Sequence, residues 1–395
     1  MNQKTQPSKQ ALLLGGCLIA IIAFFAGTRA EQIMNTVGPL IGMTPTSETL
    51  DLSSVQRTYQ QLKANFDGTL DSQKLIDGAK RGMVAASGDK HTVFYDAEEA
   101  KEFNNDLSGN VGAGIGAEIA TRNNQPTVIR LLPNNPAAES GLKAGDQVVA
   151  VNGESTVGQE SSPTAALIRG EPGTSVRLAV KRGDKTYSYT ITRQTIDNPS
   201  VHTSVKNDVG IMTISRFDEQ TAVRARKAAE NFKQQGVKGI IVDIRSDGGG
   251  YLEAATNTAG VWLEDTLVAT QRRGDVVLSE QRTMSDAPLK GVPTVVLVNE
   301  GSASASEIFA AALREHGAAK LIGQKTFGKG SVQQVIPLEG DTILKVTVSK
   351  WYTDKGVNVN GNGLEPDVKV ALSADDINRG TDPQLAKALD ELARQ

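Results

Sequence analysis

An alternation between residues 205 and 370 constrains this chain most. The apolar runs 210–214, 239–244 and Thr294–Val298 read as strands. The segments 222–235, 251–263 and 306–316 carry helical periodicity. Strands alternating with helices predict a layered α/β core. Residues 106–196 differ in character. Short β-like runs (127–132, Gln147–Val151, 175–181, 186–193) are separated by Gly and Pro turns, with one short helix near 164–169. That pattern predicts a small β-rich module. Upstream, residues 47–103 read as helical. Val55, Tyr59, Leu62 and Phe66 form one apolar stripe, and Leu75, Ile76, Ala79 and Met83 another, both expected to be packing faces. At the far end Asp382-Pro383 reads as a cap and a first-turn proline, followed by a stripe of Leu385, Leu389 and Leu392.

A length of 395 residues predicts two or three domains. Lys plus Arg is 42 and Asp plus Glu is 45, a net charge of −3 that argues against a nucleic-acid binder. The one cysteine, Cys17, excludes an intramolecular disulfide and a cysteine-based zinc site. His91, His202 and His316 come from distant regions, and there is no His-Glu-x-x-His, so no metal site is expected. Histidine-based catalysis also has few candidates.

Lys4 and Lys9 precede an uncharged apolar run at 11–27, with Arg29 after it. A spanning helix needs about 20 residues and a signal-peptide core about 7–15. The run falls between them, and Thr28-Arg29-Ala30 is a mediocre cleavage site, so an uncleaved single-pass anchor is favoured over a cleaved signal. The two lysines predict a cytoplasmic N terminus and a body outside, in the periplasm or at the cell surface. Leu14-Gly15-Gly16-Cys17 resembles a lipoprotein box, but apolar residues continue past Cys17.

Two glycine motifs mislead. Gly112-Ala113-Gly114-Ile115-Gly116-Ala117 fits a loose dinucleotide fingerprint but lacks the preceding apolar strand. Residues 323–329 fit G-x-x-x-x-G-K, yet Gly330 stands where a phosphate loop needs Ser or Thr, and β-like sequence follows. A third, Asp247-Gly248-Gly249-Gly250, follows an apolar strand. It reads either as a flexible turn or as a strand-to-helix junction with backbone amides free for an anion.

Gly301-Ser302-Ala303-Ser304-Ala305-Ser306-Glu307 lies between the strand Thr294–Val298 and a helical pattern. Small residues at such a corner allow a tight turn that presents a serine at a helix N terminus, the logic of a nucleophile elbow. A serine-rich helix cap explains the spacing equally well. Spacing does not choose among the three serines.

Together with Thr326-Phe327-Gly328-Lys329-Gly330-Ser331-Val332-Gln333, this run resembles the carboxyl-terminal processing, or tail-specific, serine proteases. The resemblance spans about residues 50–395. It implies an α/β fold: a ClpP/crotonase-like protease core with an inserted β-rich PDZ domain and a helical N-terminal region. The expected boundaries are 1–33 for the signal or anchor, 34–105 for the helical region, 106–196 for the PDZ domain, 197–375 for the protease core and 376–395 for a C-terminal helix.

The resemblance makes Ser304 the nucleophile, Lys329 its base and Gln333 the lysine-orienting glutamine, with Glu307 and Thr326 supporting. A lysine takes a proton only when neutral, so it must be pushed down from about 10.4. Burial does that, and Phe327 with two glycines suggests a compact, partly apolar setting. Oxyanion donors would be the N–H of Ala305 and of Gly249 or Gly250. The family writes Leu-Arg-Asn-x-Pro-Gly-Gly where this chain has Ile244-Arg245-Ser246-Asp247-Gly248-Gly249-Gly250; Asn and Pro are absent.

Gly114-Ile115-Gly116 resembles a PDZ carboxylate-binding loop. The run from Pro136 to Asp146, Val151-Asn152-Gly153, and Arg169-Gly170 with Gly173-Thr174 match further PDZ positions. Arg169 is thereby implied to couple PDZ occupancy to the protease site. Expected partners are protein or peptide substrates with unstructured apolar C termini, the membrane through the N-terminal segment, an adaptor protein and a second copy of the chain. No cofactor is implied. Two other classes stay open: a catalytically inactive PDZ scaffold and, less in keeping with Gly330, a phosphate-loop nucleotidase.

Overall fold

A computed structural model describes residues 50–110, 112–284 and 286–394. The apolar run at 11–27, with Cys17, lies outside the described residues, and so do the anchor and signal expectations. Among the described residues no helix is long and apolar enough to cross a membrane.

The chain divides after Leu75 into two units. Helices form at Ser53–Asn65 and Ser72–Ala85, where periodicity predicts them. Their apolar stripes, expected to be packing faces, are not buried: Val55 is 50 % exposed, Phe66 51 % and Met83 54 %. A stripe says which side of a helix is apolar, not that anything covers it.

The helical reading of 47–103 also breaks. Val93–Tyr95 is a strand, paired antiparallel with Ile343–Thr353. A new helix, Ala97–Ser108, starts because the Asp96 carboxylate accepts from the N–H groups of Glu98 and Glu99, while Glu99 reaches back to the Asp96 N–H. It stops at Gly109, whose φ of 70° suits a residue without a β-carbon.

The core is a six-stranded sheet in the order Val201–Lys206, Val209–Ile214, Gly239–Asp243, Thr294–Val298, Lys320–Gly323, Val368–Lys369. The first pair is antiparallel and the rest are parallel. Parallel strands buried on both faces read as unbroken apolar runs, and Thr294–Val298 is buried throughout. Ile240, Val242, Val296 and Val298 pack with Phe232, Ala255 and Phe309 of helices Thr221–Gln234, Leu252–Ala259 and Ala305–Glu315. Ile241, Val295 and Leu297 face the other way, onto Ala388 and Leu392 of helix Pro383–Ala393. Asp382 caps that helix through the Leu385 N–H, as its sequence predicts. Arg245 bonds both Asp243 and Asp382, tying the cap to the sheet.

A second, antiparallel sheet runs Val93–Tyr95, Ile343–Thr353, Leu267–Arg273, Val276–Arg282, with Ser331–Pro337 also paired to Ile343–Thr353. The β module inserted before Val201 has its own sheet, Ala117–Arg122, Gln125–Leu131, Gln147–Val151, Ser175–Arg182, Lys185–Thr192, and its own core around Val128, Val148, Leu178 and Val180. Neither misleading glycine motif is followed by a helix. Strand Ala117–Arg122 follows the first, and strand Ser331–Pro337 the second.

Candidate active site

The corner at residues 299–304 joins a buried strand to helix Ala305–Glu315, and its serines are not equivalent. Ser302 and Ser306 are fully buried. The Ser302 hydroxyl donates to the Ile244 carbonyl at 2.8 Å and that of Ser306 to the Asp247 carbonyl at 2.9 Å. Ser304 alone is half-exposed and lines a cleft of about 530 Å³. Its φ is 57°, a strained value for a residue with a side chain. The turn that imposes this strain is held on both sides by the bonds of Ser302 and Ser306.

Lys329 lines the same cleft, as do Gln333, Gly249, Gly250 and Ala305. Burial pushes the Lys329 ammonium below its ordinary value; the charge of Lys345 adds to this and that of Glu307 opposes it. The apolar setting does not come from Phe327, which is 55 % exposed. It comes from the second sheet: Trp351 is buried, lines the cleft and donates its indole N–H to the Lys329 carbonyl at 2.9 Å. The glycines beside Lys329 serve close approach. A β-carbon at Gly330 would sit 2.6 Å from the Asn358 amide, and one at Gly328 2.7 Å from the Gly363 nitrogen.

Glu307 joins the two halves of the site. It is fully buried. One carboxylate oxygen accepts the Ser304 N–H at 2.9 Å and the Lys329 N–H at 2.8 Å. The other accepts the Gly328 N–H at 2.8 Å and the Thr326 hydroxyl at 2.5 Å. Four donors on one carboxylate offset the cost of burying it. They also hold the serine turn and the lysine loop at a set spacing.

Gln333 reaches neither Ser304 nor Lys329 by a hydrogen bond; its amide donates to the hydroxyls of Ser331 and Thr347. The glycine run is the strand-to-helix junction, leading from Gly239–Asp243 into Leu252–Ala259. Gly249, at φ 102°, lies so close to the serine turn that a β-carbon would be 2.9 Å from both the Ala305 nitrogen and the Ser304 β-carbon. Its N–H, however, donates to Asp247 Oδ1 at 2.8 Å. Ala305 begins its helix and Gly250 is exposed; among the described residues no hydrogen bond engages either N–H.

Asp247 escapes sequence reasoning, which reads it as part of a turn. It is fully buried, and burial pushes its carboxyl up to about 7, against the pull of the Gly249 N–H, Ser306 and the Arg216 charge. Arg216 escapes it too, although it lines the cleft.

In the β module, Gly114, Ile115, Gly116 and Arg169 line a groove of about 360 Å³ with Ile119 and Ile168. Ile115 is buried in the module core and Gly116 has φ 75°. Arg169 is exposed at the end of helix Ser161–Ile168. The buried guanidinium there is Arg193, which donates to the Ile168 and Leu167 carbonyls and to Thr174. A hydroxyl on a strained turn, a desolvated amine and unpaired N–H groups on one cleft are the parts that acyl transfer requires.

Comparison with known proteins agrees with this assembly. Residues 208–370 match Peptidase family S41 and residues 113–192 match the PDZ domain. The chain is 34 % identical over 357 residues to a probable CtpA-like serine protease of Staphylococcus haemolyticus (strain JCSC1435), covering 90 % of this chain and 71 % of that one. It is 34 % identical over 327 residues to the carboxy-terminal processing protease CtpA of Bacillus subtilis (strain 168), covering 80 % and 68 %. A crystal structure assigned to the S41 proteases, from Bacteroides fragilis NCTC 9343, shares the fold with TM-score 0.59 and 16 % identity, covering 89 % of this chain and 98 % of that one. The two domain matches and the two long alignments converge: the chain belongs to the carboxyl-terminal processing serine proteases of peptidase family S41 and carries their PDZ domain.

Proposed function

We propose that the protein is an endopeptidase acting through a Ser304–Lys329 dyad on substrates whose unstructured, apolar C termini enter the PDZ groove. Neutral Lys329 takes the Ser304 proton as Oγ attacks the scissile carbonyl carbon. The oxyanion forms against the N–H groups of Ala305 and the Gly249–Gly250 segment. Lysine then gives the proton to the departing amine, leaving an acyl-enzyme on Ser304. Water, deprotonated by the same lysine, attacks that ester; the lysine returns the proton to the departing Ser304 Oγ, which releases the carboxylate product and restores both groups.

The observation that carries this reading is Glu307, one buried carboxylate oxygen holding the backbone N–H of both Ser304 and Lys329. Gln333 acts on Lys329 in this reading only through the shape of the cleft they share, and Thr326 through Glu307. Gly114 pairs with Gln194 in a short ladder, but among the described residues no hydrogen bond engages the N–H of Ile115 or Gly116; these two amides and the apolar Ile119 and Ile168 suit a terminal carboxylate with an apolar side chain. The charge pattern of Lys4, Lys9 and residues 11–27 supports action outside the cytoplasm.

The test mixes the protein, and its Ser304→Ala variant, with an unfolded protein ending in apolar residues, and follows fragments by mass spectrometry. Cleavage by the parent alone is expected. Equal cleavage by both would remove Ser304 from the mechanism, and binding without cleavage by either would favour a scaffold.

A further inference from the structure

Among the described residues, two buried polar atoms near the cleft have no hydrogen-bond partner: Arg216 Nε and Asp247 Oδ2. They belong to opposite charges, and Arg216 is close enough for its charge to act on the Asp247 carboxyl. In the arrangement described, Arg216 is committed elsewhere. Its Nη2 donates to the Asn198 carbonyl and pairs with Asp218 at 3.0 Å. Its guanidinium also lies over Gly109, leaving no room there for a β-carbon. Gly109 and Asn198 are the two linkers that enter and leave the PDZ module, so one side chain holds both.

The next residue carries this grip to the glycine loop. The Phe217 N–H donates to the Gly249 carbonyl at 2.9 Å, and the Phe217 carbonyl accepts the Tyr251 N–H at 2.8 Å. Gly250 is bridged to Phe217 between them. Meanwhile Asp247 holds the Gly249 N–H, which cannot then face an oxyanion.

We propose that Arg216 is a positioning residue with two seats, one on the PDZ linkers and one on the Asp247 carboxylate, and that its move to the second frees the Gly249 N–H for the oxyanion. The second seat satisfies both orphaned atoms at once and gives the carboxylate a partner other than Gly249. Movement of either PDZ linker loosens the first seat, and the Phe217 backbone transmits the change. This rests on the catalytic reading above, with Ser304 as nucleophile and glycine amides as oxyanion donors.

The test uses the full chain and a short fluorogenic peptide amide that offers no free C terminus to the PDZ groove. Asp218→Asn keeps the shape of that side chain and removes the ion pair of the first seat. Its turnover is expected to rise about 10- to 100-fold, within what one oxyanion donor contributes. Arg216→Met added to Asp218→Asn should abolish the gain. In the parent background, Arg216→Met, Asp247→Asn and the double variant should lose turnover to a similar extent, because one contact is removed in all three. Asp218→Asn that keeps its melting temperature without gaining turnover overturns the proposal. Losses for Arg216→Met and Asp247→Asn that multiply overturn it too, and this second arm decides if Asp218→Asn fails to fold. Ser304→Ala should be silent in every background; if it is not, the catalytic reading fails instead.

Discussion

Replacing Glu307 with Gln tests the joint between the serine turn and the lysine loop. The carboxylate accepts four donors: Ser304 N–H, Lys329 N–H, Gly328 N–H and the Thr326 hydroxyl. An amide offers one oxygen and one NH2. The better orientation keeps the oxygen toward Ser304 and Lys329 and turns the NH2 toward Thr326, whose oxygen already accepts from Leu364 but has a second lone pair. Gly328 N–H then faces another donor. An orphaned buried N–H costs about 1–3 kcal/mol, and two charge-assisted bonds reduced to neutral ones cost about 1 kcal/mol each. The expected loss is about 3–5 kcal/mol, read as a lower urea midpoint at unchanged slope. Turnover of a peptide amide should fall about 10- to 100-fold, mostly in kcat, because a slack Ser304–Lys329 spacing misplaces the reacting groups. A midpoint within about 1 kcal/mol of the parent and a kcat within about twofold would refute the idea that Glu307 sets this spacing.

Other expectations follow from the charges and the glycines. Lys329 works neutral, so kcat/KM should rise with pH through its depressed value; Lys345→Met removes a charge that depresses it and should move that rise to higher pH at the same plateau. Asp247, raised from 3.8 to about 7, binds its proton more tightly folded than unfolded, so its contribution to stability is full below about pH 4 and is lost as pH rises through 7. Asp247→Asn does not titrate, and its stability relative to the parent should grow by about 4 kcal/mol between pH 4 and pH 8, compared by urea unfolding; parallel curves would deny that Asp247 is buried in both protonation states. Gly116→Ala should abolish binding of an apolar C-terminal peptide, measured by fluorescence polarisation, because φ is 75° and its β-carbon would lie 2.7 Å from the Asn135 side-chain carbon.

What could be read from sequence follows how far each residue's partners lie along the chain. The strand Thr294–Val298 is buried on both faces, so its apolar run declares itself, and the small residues after it declare a tight turn. Periodicity alone could not separate Ser302, Ser304 and Ser306. What separates them is where the hydroxyls go, and the carbonyls of Ile244 and Asp247 are brought there by a parallel strand pairing. Most of the second sheet was illegible for a related reason: Ser331–Pro337 reads as β-like, but Val276–Arg282 is largely exposed and half polar, so it lacks both a buried run and a clean alternation. Asp247 looked like an ordinary turn residue because its burial is supplied by Ala303 and Ser306, which close over it from the serine turn. Arg216 is the limiting case. Its partners, Gly109 and Asn198, sit on opposite sides of an inserted domain. A residue that grips both ends of an insertion is defined only when the insertion brings those ends together. No local pattern around Arg216 therefore marks it; its buried, unsatisfied Nε does.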